Sequence, residues 1–387
     1  MHDFSFGSTE FLVEILGIKS DSFIELGIHE LIDIKENHNG DYDGILGKYD
    51  KVFVSQMQEG YGMSQRLKDF YQNFDKEKIF IINDGFLCEK YVEEIYCGVS
   101  KENIFYEPTL SFWHVWNRVL SDCGYVDSRE DEKRYGWRTK SGKINNEFRK
   151  LHDNNIDKLF PEYNTDRDMK FIILNRNWKP GREECVRALS DSFLRNNWVS
   201  CDFMDNTDNL FLRKDDYSKY ENDQSGWNSC YEIIWKNHSN KAYIQPYWES
   251  CAWTDALTEG HYMITEKTAI PFILGNISIP LGIFYVDFLE KMGYQFVKKI
   301  GDISINETID PKDWEGFGWG SARVQDVKNW NYELFDKLNK IEKLSSLSDI
   351  KYLYIDNLDI MEHNKQLVKK HMTDTTVIEK LKKWILE

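Results

Sequence analysis

Three short segments of the chain carry residue types that could do chemistry together. The stretch Asn175–Arg182 (NRNWKPGR) holds Asn175, Arg176 and Arg182 between an apolar run and an amphipathic one. Two guanidinium forks beside the free N–H groups of a helix start favour a phosphate or diphosphate. The spacing is neither a P-loop nor a G-x-G-x-x-G fingerprint, and a basic strand-to-helix turn is also an ordinary solvated surface feature. In Ile264–Thr268 (ITEKT), Thr265 can cap the following helix and Glu266 falls in its first turn, which is already a sound structural reason for both. The chemical reading adds that Glu266 could accept hydrogen bonds from a ribose diol while Lys267 neutralises a diphosphate. The third segment, Tyr247–Ser250 (YWES), sets Glu249 between Trp248 and Trp253. A carboxylate beside aromatic faces suits a sugar, although tryptophans in an aromatic-rich chain more often build core.

These segments need elements to hold them, and the hydrophobic pattern supplies candidates. Lys51–Ser55 (KVFVS) and Lys78–Ile82 (KIFII) read as strands, with helical spacing of Leu67, Phe70, Tyr71 and Phe74 between them. The rhythm restarts at Lys170–Leu174 (KFIIL), followed by a helix over Glu183–Arg195 with Val186, Leu189, Phe193 and Leu194 on one face. Lys241–Gln245 and His261–Ile264 read as further strands, Asp287–Met292 as a short helix closed by Gly293, and Gln295–Lys298 as the next strand. Strand-helix-strand alternation predicts α/β architecture with parallel sheets. The polar stretch 122–165 predicts a boundary, so residues 1–150 form one domain and 165–345 a second. Residues 346–387 are a helical tail packed on the body, and Val324, Val327, Trp330, Leu334, Leu338 and Ile341 predict a long amphipathic helix before it.

Composition bounds the function. The 387 residues carry a formal charge of −16, which argues against a surface that clings broadly to nucleic acid or anionic membrane. With 41% hydrophobic and 15% aromatic residues the chain has ample core-forming material. Its seven cysteines are odd in number and scattered, with no C-x-x-C pair, which fits reduced thiols better than disulfides or zinc. Met1–Glu10 lacks a basic start and an apolar run, which predicts a cytoplasmic protein. Ile270–Val286 is the most apolar stretch, but Pro271, Asn276, Ser278 and Pro280 mark it as buried interior rather than a membrane span.

Taken in order, Asn175, Arg176 and Arg182, then Glu249, then Thr265-Glu266-Lys267-Thr268 running into Pro271-Phe272, then Leu289…Gly293-Tyr294, Asp310 and Arg323, resemble a phage and viral glycosyltransferase family. The T-E-K step is also similar to the donor motif of α-1,3-fucosyltransferases, which have the GT-B fold of two Rossmann-like domains. The resemblance covers roughly Lys170–Arg323, less than half of the chain. It implies a GT-B-like transferase, with a nucleotide-sugar co-substrate in the second domain and the acceptor held by the first. It would set Arg176 and Lys267 on the diphosphate, Glu266 on the ribose, and Thr265 and Thr268 on phosphate oxygens. The segments Asn177–Gly181 and Trp314–Gly320 depart from the family pattern and leave the sugar and the nucleotide open.

Transfer at an anomeric carbon needs a base for the acceptor hydroxyl and positive charge for the departing diphosphate. In GT-B folds side chains and helix ends supply that charge, so no metal or other cofactor is expected. D-x-D patterns such as Asp41-Tyr42-Asp43 and Asp166-Arg167-Asp168 are expected by chance in so acidic a chain. Asp84, after the Lys78–Ile82 strand, is the first candidate base, His114 the second and Glu107 the third. The acceptor is a glycan, a small molecule or a hydroxymethylated base of phage DNA, the last presented flipped out along a track such as Lys133, Arg134, Arg138, Lys140 and Lys143. The rival readings are a non-catalytic carbohydrate- or nucleotide-binding protein and, third, a nucleic-acid-binding module.

Overall fold

The computed structural model describes residues 22–56, 67–83, 86–87, 96–107, 109–110, 160–175, 186–201, 239–248, 261–262, 264, 266–282, 285–308 and 324–387. They form two parallel sheets with helices, a mixed α/β arrangement.

The first sheet is built from β1 (Phe23–Gly27), β2 (Lys51–Gln56), β3 (Ile79–Asn83) and β5 (Ile104–Tyr106), side by side in chain order and all parallel. Its strands read as unbroken apolar runs because both faces are covered. Val52, Val54, Ile79 and Ile81 turn to one face, against α1 (Ile28–Asn37), α2 (Tyr42–Leu46) and α3 (Lys68–Asn73). Phe53, Phe80, Ile82 and Phe105 turn to the other. A two-residue strand β4 (Phe86–Leu87) follows β3.

The second sheet comprises β6 (Met169–Asn175), β7 (Trp198–Cys201), β8 (Ala242–Trp248) and β10 (Ile277–Leu281), in the spatial order β10-β8-β6-β7. Between β6 and β7 lies α4 (Asp191–Asn196). Between β8 and β10 lie β9 (His261–Tyr262) and α5 (Glu266–Ile273). After β10 come α6 (Tyr285–Lys291) and a small hairpin of β11 (Lys299–Ile300) and β12 (Ile303–Ser304). Four helices close the chain, α7 (Val324–Leu344), α8 (Leu347–Asp356), α9 (Leu358–Thr373) and α10 (Thr376–Leu386). The segment Ile270–Gly282 is buried throughout, and among the described residues no helix is long and apolar enough to cross a membrane.

Two local expectations are corrected. The helix over Glu183–Arg195 is broken, because the chain turns at Ala188–Ser190 and Ser190 caps a separate helix, α4. Asn339 of α7 holds that turn, donating to the Ala188 carbonyl at 2.8 Å and accepting from the Ser190 N–H at 2.8 Å. Val186, Leu189, Phe193 and Leu194 still reach the core. Gln295–Lys298 is not a strand; the Asn364 side chain of α9 takes both backbone groups of Gln295, at 2.8 and 2.6 Å, and pairing starts only at Lys299. Gly293 does close α6, with φ +95°.

The tail joins the two sheets. Helices α8 and α9 pack into the core of the second sheet, through Ile350, Tyr354, Met361 and Val368. Helix α10 instead lies on the first sheet, with Val377, Ile378, Leu381 and Ile385 against Phe53, Ile82 and Phe105. The Trp384 ring packs on Phe53, Phe80 and Phe105 at 5.9, 5.7 and 5.6 Å, and its Nε1 donates to the Glu102 carbonyl at 2.8 Å.

Candidate functional site

In the second sheet the chain leaves β6 toward β7 on one side and later returns to β8 on the other. Open α/β sheets take ligands beyond the carboxyl ends of the strands that flank such a reversal, here β6 and β8. Those ends are Asn175, the last residue of β6, and Trp248, the last of β8. The register between these strands stops at Phe171↔Ile244, well short of both ends. Pro246 has no N–H to continue a ladder, whereas the other edge of β8 stays paired with β10 as far as Trp248↔Leu281.

Helix α5 aims its first turn at the same edge. Arg167 accounts for this, being only 3% exposed and spanning two elements at the opposite edge. Its Nη1 donates to the Ala242 carbonyl at the start of β8, at 2.6 Å. Its Nη2 donates to the Leu274 and Gly275 carbonyls at 3.1 and 3.2 Å, just past the end of α5, and to the Tyr354 hydroxyl at 2.8 Å. With the end of α5 tied to the beginning of β8, its beginning lies toward the end of β8. A guanidinium on terminal carbonyls also complements the helix dipole. Burial lowers the Arg167 pKa, and the Tyr354 and Tyr243 hydroxyls oppose that shift.

Of the residues singled out in the sequence, Asn175 ends β6, and Glu266, Lys267 and Thr268 form the first turn of α5. Lys267 is half-buried and Thr268 fully buried. These four stand at one edge of one sheet. Asp84, His114, Arg176, Arg182, Glu249 and Thr265 lie outside the described residues, as do Asp310, Arg323 and the track at 133–143. Trp248 is no exposed sugar platform: it is 1% exposed and stacks on Phe335 of α7 at 5.3 Å. Glu107 accepts a hydrogen bond from Thr109 at 2.9 Å and faces Lys380 of α10 at 3.4 Å, which ties it to the tail.

Among its described residues, the predicted strand His261–Ile264 joins neither large sheet. Its first two residues, as β9, pair antiparallel with β4, Phe86↔Tyr262 and Leu87↔His261. The pairing brings Phe86 and Leu87, which follow β3 in sequence, beside His261 and Tyr262, which precede α5.

Asp166 is exposed and bonded to Lys351 at 2.7 Å, which holds its carboxyl below the usual range, and Asp168 is also exposed. Among the described residues no group of three His, Cys, Asp or Glu side chains could hold a metal ion. Sequence reasoning missed Arg167, whose only local signal is a flanking aspartate on each side, the opposite of a buried site. It also missed Gln245 and Trp248 as buried polar groups; among the described residues Gln245 Oε1 and Trp248 Nε1 have no hydrogen-bond partner. No family model, no curated protein and no solved structure matches the chain.

Proposed function

We propose that the protein is a nucleotide-sugar-dependent glycosyltransferase of the GT-B type, moving a sugar to an acceptor hydroxyl without a metal. The observation that carries this reading is the common edge shared by Asn175 and the first turn of α5, at the carboxyl end of a sheet whose strand order reverses between β6 and β8. Anionic groups are favoured at such an edge by helix N–H groups and by Lys267. Arg176 and Glu249 directly follow β6 and β8 in sequence, which suits diphosphate and hydroxyl contacts beyond the ends of the two strands. The β4–β9 pairing supports an acceptor side on the first sheet, with Asp84 the first candidate base and His114 the second.

In this reading Lys267, with Arg176 and Arg182, stabilises the departing nucleoside diphosphate. The base takes the acceptor proton as the hydroxyl oxygen bonds to the anomeric carbon and the sugar–phosphate bond breaks. The acceptor is a glycan, a small molecule or a hydroxymethylated DNA base.

Thermal shift and donor hydrolysis with a panel of uridine, guanosine, adenosine and cytidine diphosphate sugars test the proposal. One donor should stabilise the wild type and be hydrolysed slowly, and Lys267→Ala should lose both responses. No stabilisation by any donor, or an unchanged response in Lys267→Ala, would refute it. Affinity with no turnover on any acceptor would favour the non-catalytic binding protein.

A further inference from the structure

Helix α8 carries apolar side chains on two sides. Its inward side, with Ile350 and Tyr354, is already in the core of the second sheet. Its outward side carries Leu347, Tyr352 and Ile355, and Leu344 ends α7 just before α8 begins. A helix with one side in a core ordinarily shows water a polar one. Here Leu344, Leu347, Tyr352 and Ile355 are 71%, 39%, 65% and 40% exposed, and they make up four of the seven exposed large hydrophobics among the described residues. Along α8 the four-residue spacing sets Leu347, Lys351 and Ile355 in one row and Ser348, Tyr352 and Asp356 in the next, so the Tyr352 and Ile355 side chains are neighbours.

The amount of surface matters. At that exposure the four side chains offer roughly 450 Å², the size of patch that is often functional on a monomer. A standard protein interface covers about 800 Å² of each partner, somewhat more than half of it apolar, so one partner must supply about 450 Å² of apolar surface. The face therefore holds the apolar share of one such interface. Tyr352 is its natural anchor, a broad ring with a polar tip.

Charge narrows the occupant. The chain carries −16, so two copies repel across most of their surface. This face is balanced: Lys351 binds Asp166 at 2.7 Å, and Lys340, in the same row of α7 as Leu344, binds Asp336 at 2.6 Å. Lysines already bonded to carboxylates give an anionic membrane little to hold. An exposed pair of opposite sign does suit its own copy, because a two-fold axis beside it sets each ammonium against the other copy's carboxylate.

We propose that the α7–α8 corner is the contact face of a two-fold homodimer, with Leu344, Leu347, Tyr352 and Ile355 packed on the same patch of a second copy and Lys351 of each copy facing Asp166 of the other. The dimer stands independently of the transferase reading, since no donor or acceptor enters its test. Sedimentation equilibrium of the full chain from about 1 to about 300 μM should show the mass rising from 46.0 kDa toward twice that, with a Kd below about 100 μM. Tyr352→Glu, at an exposed position that leaves the fold intact, should weaken association at least about tenfold. Lys351→Asp and Asp166→Lys should each weaken it about fivefold, and an equal mixture of the two should recover it, because only the mixed dimer sets opposite charges across the axis. A mass that stays at 46.0 kDa throughout would overturn the proposal. So would a dimer indifferent to Tyr352→Glu, or a mixture no tighter than either variant alone. Sedimentation of the monomer with phosphatidylcholine–phosphatidylglycerol vesicles, lost in Tyr352→Glu, would give the face to a membrane and overturn it equally.

Discussion

Replacing Arg167 should cost the fold far more than its place in an exposed Asp-Arg-Asp run suggests. Five side-chain hydrogen bonds leave its guanidinium, to the carbonyls of Asn164, Ala242, Leu274 and Gly275 and to the Tyr354 hydroxyl. The group also sits over the Tyr354 ring at 4.7 Å. In Arg167→Met the methylene stem and its packing survive. Asn164 is exposed and turns to water, and the Ala242 carbonyl keeps its bond from Asn276 at 2.7 Å. The Leu274 and Gly275 carbonyls and the Tyr354 hydroxyl are then left without this donor, at roughly 1–3 kcal/mol each. Relief of the buried charge returns several kcal/mol, so the net loss is about 3 kcal/mol. For a unit of this size that lowers Tm by about 6–12 °C. Arg167→Lys should fall close to Met, because an ammonium cannot span carbonyls at the start of β8 and beyond the end of α5 together. Urea unfolding gives the free energy, and hydrogen exchange should show faster opening at Ala269–Leu274. A loss below about 1 kcal/mol, or full rescue by lysine, would refute the idea that a planar fork organises α5.

Three further outcomes are expected. Burial, helped by Lys370 and opposed by Asp374 and Glu107, pushes the His371 pKa from 6.5 down to about 4, with its Nδ1 at 2.9 Å from the Tyr294 hydroxyl. The unfolded chain therefore binds the extra proton, so His371 contributes no penalty above pH 6.5 and about 3 kcal/mol of destabilisation accumulates as pH falls toward 4. Urea midpoints from neutral to acid pH should show a shallower fall in His371→Gln than in wild type, and parallel curves would reject the assignment. Trp384→Ala should cost about 3 kcal/mol by removing the three ring contacts and the bond to Glu102, read as a drop in Tm. Gly275→Ala should destabilise by about 2–4 kcal/mol, because φ is +64° and the added methyl would strike the Tyr163 ring; neutral behaviour in urea would contradict this packing.

The parts of the fold legible in the sequence are those decided by local pattern. KVFVS, KIFII and KFIIL form strands because both sheet faces are covered, and the 324–341 spacing forms one long helix because it has one apolar stripe. Distant side chains decide the rest. Asn339 breaks a helix that the periodicity of 183–195 favours, and Asn364 takes the backbone of the segment read as the strand Gln295–Lys298. At the candidate site, Asn175 and the T-E-K turn could be read because each ends or begins an element. Their shared edge could not, because it depends on the order in which the strands lie and on Arg167.

The position of α10 also bears on how the protein is made. One face of the first sheet, with Phe53 and Phe105, is covered by Val377, Ile378, Leu381 and Ile385, more than 250 residues later in synthesis. A ribosome translating the intervening chain has already released strands β1 to β5, whose aromatic face waits for its cover. The first sheet therefore cannot complete its folding as a nascent unit ahead of the second. Its aromatic face is the surface that chaperones should hold until Thr376–Leu386 emerges.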